Sequence, residues 1–473
     1  MHSHSFPTLL ALGIQLINML SQAYAQDAPL FVQGGLDDAT ASDDTYNTGG
    51  TISVGGFNIT VPRNMLVQFP AAYVPFKDFV EDVNSMIGYE TSVVGNFING
   101  EPIAAQIVTY QFFEGLGQGF IESINFTDGS MQIANGPRLR INDPRAVFSV
   151  GYTEAPFFTA DDESPSIASF SGFPMCIPRN STDPLCPSSN RPFQGSGTFT
   201  VKDSLTMAPF LAGDFVTWQG IKRGEEVIAF AITAMNVQIT TLNNLAYVRA
   251  ELALIGVSNF NGNTELAESR ILGYLSNTRA TVAIYAMDID PCTGEVTDRI
   301  VSAVGIKGGA NAQNKWEYRA DITEGYARDY RVVTEINGVP QTQMTKNGLL
   351  AGTYVQPVNP WIQSEQDVPG VPPPANDFSQ LPWLINGVGV DEDGNLWGGL
   401  DPFPQTGVEP GSPDCGAVSA SSFKGDDVDT DWVPSSSLLN GTTLLNFTSP
   451  INSTAGSTRR RRNVHDFSWA ENA

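Results

Sequence analysis

Histidine is nearly missing from this chain: among 473 residues there are three, His2, His4 and His465. With no imidazole between residues 5 and 464, that body of the chain excludes a Ser-His-Asp triad, a Cys-His pair and a histidine-ligated zinc, copper or iron site. No serine stands in a G-x-S-x-G elbow, and no phosphate-cradling glycine loop leads into a helix. Charge is scarce too, at 16% of residues, and it is one-sided: 25 Lys and Arg against 50 Asp and Glu give a net charge of −25. Phosphate binding needs clustered cations, so nucleic acid and anionic membrane surfaces are excluded as partners. Beyond the N-terminus no run approaches the ~18 apolar residues of a membrane span.

What the chain does contain is 45 glycines, 31 prolines, 41% hydrophobic and 10% aromatic residues. That profile favours short strands and many turns around real cores, and the length suffices for two or three domains. Leu9–Leu20 reads as the apolar core of a secretory signal, with Ala23-Tyr24-Ala25 as a small-x-small site cut after Ala25. The segment before it holds no Lys or Arg. The polar C-terminus carries no lipid-anchor signal. A secreted, extracellular protein is therefore expected. Six Asn-x-Ser/Thr acceptors suit export: Asn58, Asn125, Asn180, Asn440, Asn446 and Asn452. So do four cysteines, Cys176, Cys186, Cys292 and Cys415, which can pair as disulfides in three ways. The nine residues between Cys176 and Cys186 form a natural closed loop, which favours that pair and leaves Cys292 with Cys415.

Alternating apolar and polar residues predict strands over most of the chain. Residues 26–50, acidic and weakly hydrophobic, read as a flexible lead-in. Residues 51–142 hold five or six short strands with turns at Gly115–Gly117, Asp128–Gly129 and Asn135–Gly136, the spacing of a first small barrel. Residues 143–196 are an irregular connector holding Cys176 and Cys186, with Phe148, Phe157, Phe158, Phe170 and Phe173 available for burial. A second barrel is expected over 197–356. Residues 357–415 are a Pro- and Gly-rich wrapping segment anchored by Trp361, Trp383 and Trp397. The Ser/Thr-rich tail, 416–473, reads as disordered. The fold class is thus all-β, with two small OB-like barrels joined by a disulfide-braced connector.

Two resemblances add to this. Gly213-Asp214-Phe215-Val216 and Gly220 are similar to small β-barrel domains of unknown function in exported bacterial proteins. Asn142-Asp143-Pro144, Thr159-Ala160-Asp161-Asp162-Glu163, Phe170-Ser171-Gly172-Phe173-Pro174-Met175-Cys176 and Pro184-Leu185-Cys186-Pro187 resemble a family of secreted proteins of filamentous fungi with bacterial relatives. The likeness runs from about Val54 to Leu400. It implies the compartment and a two-barrel layout; the family carries no activity to transfer.

The candidates for chemistry are carboxylates. Asp161, Asp162 and Glu163 stand together between aromatics, with Asp143 and Arg145 close in sequence. An acid pair of this kind could cleave a glycosidic bond if held at the right separation. The competing reading is that they cap turns of an irregular loop. Glu225-Glu226 reads as a solvated turn. Asp391, Asp393 and Asn395, and likewise Asp427, Asp429 and Asp431, have the alternating oxygens of a calcium loop but lack its glycine and its terminal glutamate. No cofactor is called for. Tyr110 and Trp218 could stack on sugars from a barrel face, against the alternative that they fill cores. Arg459-Arg460-Arg461-Arg462 resembles the basic sites cut by kexin- and furin-like proteases, so trimming after Arg462 is expected. The function that emerges is a non-catalytic extracellular or cell-wall binding or structural protein, with a polysaccharide as partner. The alternative is a carboxylate-based glycan-cleaving enzyme.

Overall fold

The computed structural model describes residues 27–191, 197–242, 245–256, 268–305, 314–321, 326–361, 370–411, 413 and 415. The expected signal with its cut after Ala25, the acceptors Asn440, Asn446 and Asn452, the alternation Asp427, Asp429 and Asp431, and the basic site at Arg462 lie outside the described residues.

The first unit is a closed ring of five strands. It begins with β1 (Ala28–Ala41), β2 (Gly50–Val54) and β3 (Phe57–Val61). A hairpin of β4 (Leu66–Gln68) and β5 (Tyr73–Pro75) and a short helix, Phe76–Glu81, follow, before β6 (Glu90–Ile98) and β7 (Glu101–Tyr110). Neighbours run β3-β2-β1-β6-β7, and β3 meets β7 in parallel to close the ring. This is the connectivity of an oligomer-binding-type barrel.

The strand β1 replaces the expected flexible lead-in. Its first half pairs with β6 and its second half with β2, with a bulge between Leu36 and Asp38. Leu30, Val32, Leu36 and Ala39 point into the core, while Phe31, Gln33, Asp37 and Asp38 face out. Only half of the residues are apolar because only one face is buried, which is what made the segment look like linker. Leu30, Val32 and Leu36 each contribute about 1.5–3 kcal/mol by burial. The bulge resets the alternation and bends the strand so that it serves two neighbours. Asn99 and Gly100, with φ of 52° and 87°, make the tight turn joining β6 to β7.

The second unit is also a ring. Its first three strands are β8 (Gly117–Asn125), β9 (Ser130–Ile133) and β10 (Arg138–Ile141). Its fourth and fifth are Phe215–Arg223 and Glu226–Ala234. The order is β10-β9-β8 followed by the fourth and fifth strands, and β10 closes onto the fifth in parallel, Arg138 to Ile141 against Glu226 to Ala229. The strands 117–141, expected in the first barrel, thus belong with 215–234. The turn at Phe112–Gly115 redirects the chain: a Cβ on Gly115 would stand 1.8 Å from the Gly220 carbonyl oxygen, so glycine lets the turn dock on the fourth strand. Residues 142–214 are then an insertion between the third and fourth strands of one ring. Glu226, read as a solvated turn residue, closes that ring by pairing with Arg138 at 3.0 Å and Arg140 at 3.2 Å.

Beyond the rings, Val248–Gly256, Glu268–Leu275, Lys315–Asp321 and Asn359–Trp361 form one sheet. Thr281–Ile289, Val296–Val304, Asp329–Ile336 and Thr353–Pro357 lie in another. Their apolar faces, with Ile271, Ile284, Trp316 and Val332, join the first ring in one continuous core. The region expected as a second barrel over 197–356 is therefore shared between the second ring and this third unit.

The described part of the connector, residues 143–191, is ordered, as its aromatics implied. Phe157 and Phe158 pack into the core of the first and third units, and Phe148, Phe173, Met175 and Ile177 into that of the second ring. Both expected disulfides are present, Cys176–Cys186 and Cys292–Cys415. The wrapping segment docks through Asn376, whose side chain and backbone exchange hydrogen bonds with Asn96 and Gly95. Its own Phe378, Leu381 and Trp397 are buried.

Candidate functional site

Three units and the connector meet around a cleft of about 530 Å³. One wall is the hairpin of the second ring's fourth and fifth strands, where Thr217 stands opposite Thr233 and Gln219 opposite Ala231. Strand alternation turns Thr217 and Gln219 outward while Val216 and Trp218 are buried. The opposite wall is Gln68, Phe69, Pro70 and Tyr110 of the first ring. Arg249, Glu251, Tyr354 and Gln356 of the third unit close one end, and Asp161, Ser164 and Ser166 of the connector form another boundary.

Hydrogen bonds hold these walls in place. Ser164 Oγ donates to the Val355 carbonyl at 2.9 Å and accepts the Val355 N–H at 2.8 Å, fastening the connector to the third unit. Ser166 Oγ donates to the Phe230 carbonyl at 2.5 Å and accepts the Asp161 N–H at 3.0 Å. Gln106 Nε2 donates to Gln68 Oε1 at 3.0 Å and fixes that amide. Arg249 is held by its Nε bond to the Phe170 carbonyl, 2.9 Å, by Glu251 at 3.3 Å, and by the Tyr274 ring 4.7 Å below the guanidinium. The cleft therefore offers fixed amides and hydroxyls beside aromatic rings. Its one Arg–Glu pair is largely self-neutralised.

The acidic triplet is divided. Asp161 lines the cleft, but its Oδ1 accepts the N–H groups of Glu163 at 3.0 Å and Ser164 at 2.8 Å. Asp162 is paired with Arg145. Asp143 is buried and accepts the N–H groups of Val147, Phe148 and Ser149 at 2.9, 2.7 and 2.9 Å. Burial pushes its carboxyl above the ordinary value against the pull of those three bonds, but it does not line the cleft. Asp161 and Asp162 brace the connector, as the capping reading expects, and Glu163 contributes its backbone N–H to the Asp161 cap.

A substitution separates this from a role for charge. Asp161→Ala should lower stability by about 1–2 kcal/mol, the cost of stranding buried donors. Asp161→Asn, which keeps an acceptor oxygen, should restore most of it. Urea titration of both variants measures this, and an Asn variant as unstable as the Ala variant would contradict the capping role.

The calcium reading is not met at Asp391. Its carboxylate accepts N–H bonds from Asp393 and Asn395 at 3.0 and 2.8 Å, from the Asn395 amide at 3.2 Å and from Trp397 Nε1 at 2.8 Å. Donors occupy the oxygens that a cation would need. Among the described residues no three His, Cys, Asp or Glu side chains stand together as a metal site. Of the two candidate aromatics, Trp218 is 5% exposed and fills the second ring. A Cβ on Gly117 would lie 2.3 Å from its indole. Tyr110 does reach the cleft and stacks on Phe112 at 4.5 Å. Gln68, Thr217, Gln219 and Arg249 were not legible as site residues. The one signal was polar alternation at 217 and 219, between the buried Val216, Trp218 and Gly220.

Fold and cleft together define a protein of small oligomer-binding-type barrels with a recess at their junction. No family model matches the chain. No curated protein matches it either. A solved structure of Drosophila Unr, CSD456, aligns at 8% identity over 70% of this chain and 98% of that one, with a TM-score of 0.15, too slight to carry an argument.

Proposed function

We propose that this is a secreted, non-catalytic protein that binds a neutral extracellular or cell-wall polysaccharide in the junction cleft. The carrying observation is the lining: three amides, Gln68, Gln219 and Gln356, and the hydroxyl of Thr217, beside the rings of Tyr110 and Tyr354. Amides and hydroxyls match the donors and acceptors of sugar hydroxyls, and aromatic rings match the apolar faces of pyranoses. Secretion is supported by the signal-like N-terminus and by two disulfides. The acceptors Asn58, Asn125 and Asn180 are all exposed. Asn125 and Asn180 each accept the N–H of the threonine two residues on, at 3.0 and 2.9 Å, and so present the acceptor on a turn. Glycan cleavage is disfavoured because Asp161 and Asp162 are already engaged.

The test is calorimetry with cello-, laminari- and chito-oligosaccharides. The wild type should bind at least one series without releasing reducing ends. Gln219→Ala, at an exposed position, should weaken binding about five- to tenfold, the loss expected for one or two good hydrogen bonds. Affinity unchanged by this substitution, or no binding to any series, would overturn the proposal. Hydrolysis that Asp161→Asn abolishes would establish the enzyme reading instead.

A further inference from the structure

We infer that the ligand is a polymer that leaves the cleft over the turn Tyr110–Leu116 and continues along the second ring, with Phe113 as its stacking platform. This rests on the cleft being the glycan site.

Phe113 is 91% exposed, an unusual position for a phenylalanine. Its turn is rigidly held, since the Glu90 carboxylate accepts the N–H groups of Phe112 at 3.0 Å and Phe113 at 2.9 Å. Gln111 Oε1 accepts the Lys222 N–H at 2.6 Å and ties the turn to the second ring. An exposed ring on a fixed backbone loses little entropy when it is covered, which suits a contact residue.

The continuity of the lining identifies the occupant. Tyr110 lines the cleft and stacks on Phe112, with ring centroids 4.5 Å apart. Phe113, the next residue, lines a second groove of about 800 Å³ with Leu116, Gln132, Arg138, Lys222 and Glu226. Aromatic surface therefore runs from one recess into the other within four residues. Of the five charged side chains that line the second groove, four are paired, Lys222 with Glu114 at 3.8 Å and Arg138 with Glu226 at 3.0 Å, and the fifth is Glu225. An uncharged, hydroxyl-rich chain with apolar ring faces fits the aromatic and polar lining of both recesses, whose cations Arg138, Lys222 and Arg249 are all paired and so leave nothing for an acidic peptide.

The test compares a trisaccharide with an octasaccharide of the series that binds. In the wild type the octasaccharide should bind about tenfold tighter, the ratio one well-placed ring contact supplies. In Phe113→Ala the two lengths should bind alike, at the trisaccharide's affinity and with an unchanged melting temperature. Equal affinities in the wild type would overturn the extension while leaving the cleft intact. Equal losses for both lengths in Phe113→Ala would also overturn it. Failure of both lengths to bind the wild type would overturn the cleft reading and this inference with it.

Discussion

Asp214→Ala is expected to cost about 3–5 kcal/mol and to unfold the second ring under conditions where the wild type is native. The side chains of Arg191 and Asp214 are 0% and 1% exposed. They meet in two bonds, Nη1 to Oδ2 at 3.0 Å and Nη2 to Oδ1 at 2.8 Å. Arg191 also donates to the Pro209 carbonyl at 3.2 Å, and Asp214 accepts the Leu211 N–H at 2.9 Å. The pair thus joins the end of the connector to the start of the fourth strand, closing the insertion on itself. Removing the carboxylate leaves a guanidinium in a dry interior with no counter-charge. The apolar double replacement Arg191→Met with Asp214→Leu should recover most of the loss, because it removes both desolvation costs together. Urea midpoints of the three proteins measure this. An Asp214→Ala protein within about 1 kcal/mol of the wild type would show that water reaches the pair.

The second large effect concerns the longer disulfide. Cys292 and Cys415 are 123 residues apart in sequence and Cys176 and Cys186 are 10 apart. By loop-closure entropy the long bridge is worth about 5 kcal/mol and the short one about 3. Opening the long bridge with paired alanines should therefore destabilise more, by about 2 kcal/mol, and free the wrapping segment at Asp391–Cys415 from the hairpin turn at Asp290–Thr293. The short bridge lies in the core of the second ring, with Cys176 and Cys186 at 0% and 2% exposure. Its alanine pair should retain that packing in part. Thermal melts of the two double variants decide the order. A short-bridge variant that is less stable than the long-bridge variant would mean that core packing outweighs loop entropy here.

The sequence conveyed fold class, connector and disulfides through different signals. Strand alternation and dense turns are local, so the all-β class and individual hairpins such as β8–β9, with its turn at Asp128–Gly129, were readable. The aromatics of residues 148–173 announced burial in a segment too rich in Pro and Gly for regular elements. What was not readable was which strands close each ring. Leu139 pairs with Val227 across the whole insertion, and nothing within β10 or its neighbours encodes that distance. The flexible-lead-in reading of β1 failed because a one-faced strand with a bulge at Asp37 resembles linker in composition. The cleft is illegible for a related reason. Its polar residues are ordinary strand and loop residues, and only the meeting of three units makes Gln68, Gln219 and Gln356 neighbours. Asp161 was conspicuous in sequence for its acidity, yet the structure uses it as a cap.

The most direct test of the cleft as a glycan site is a crystal structure of the protein soaked with the octasaccharide that binds best. Sugar density is expected between Tyr110 and Gln219, with hydroxyls on Thr217 and Gln356 and the chain continuing over Phe113. An empty cleft with sugar bound elsewhere on the surface would contradict it.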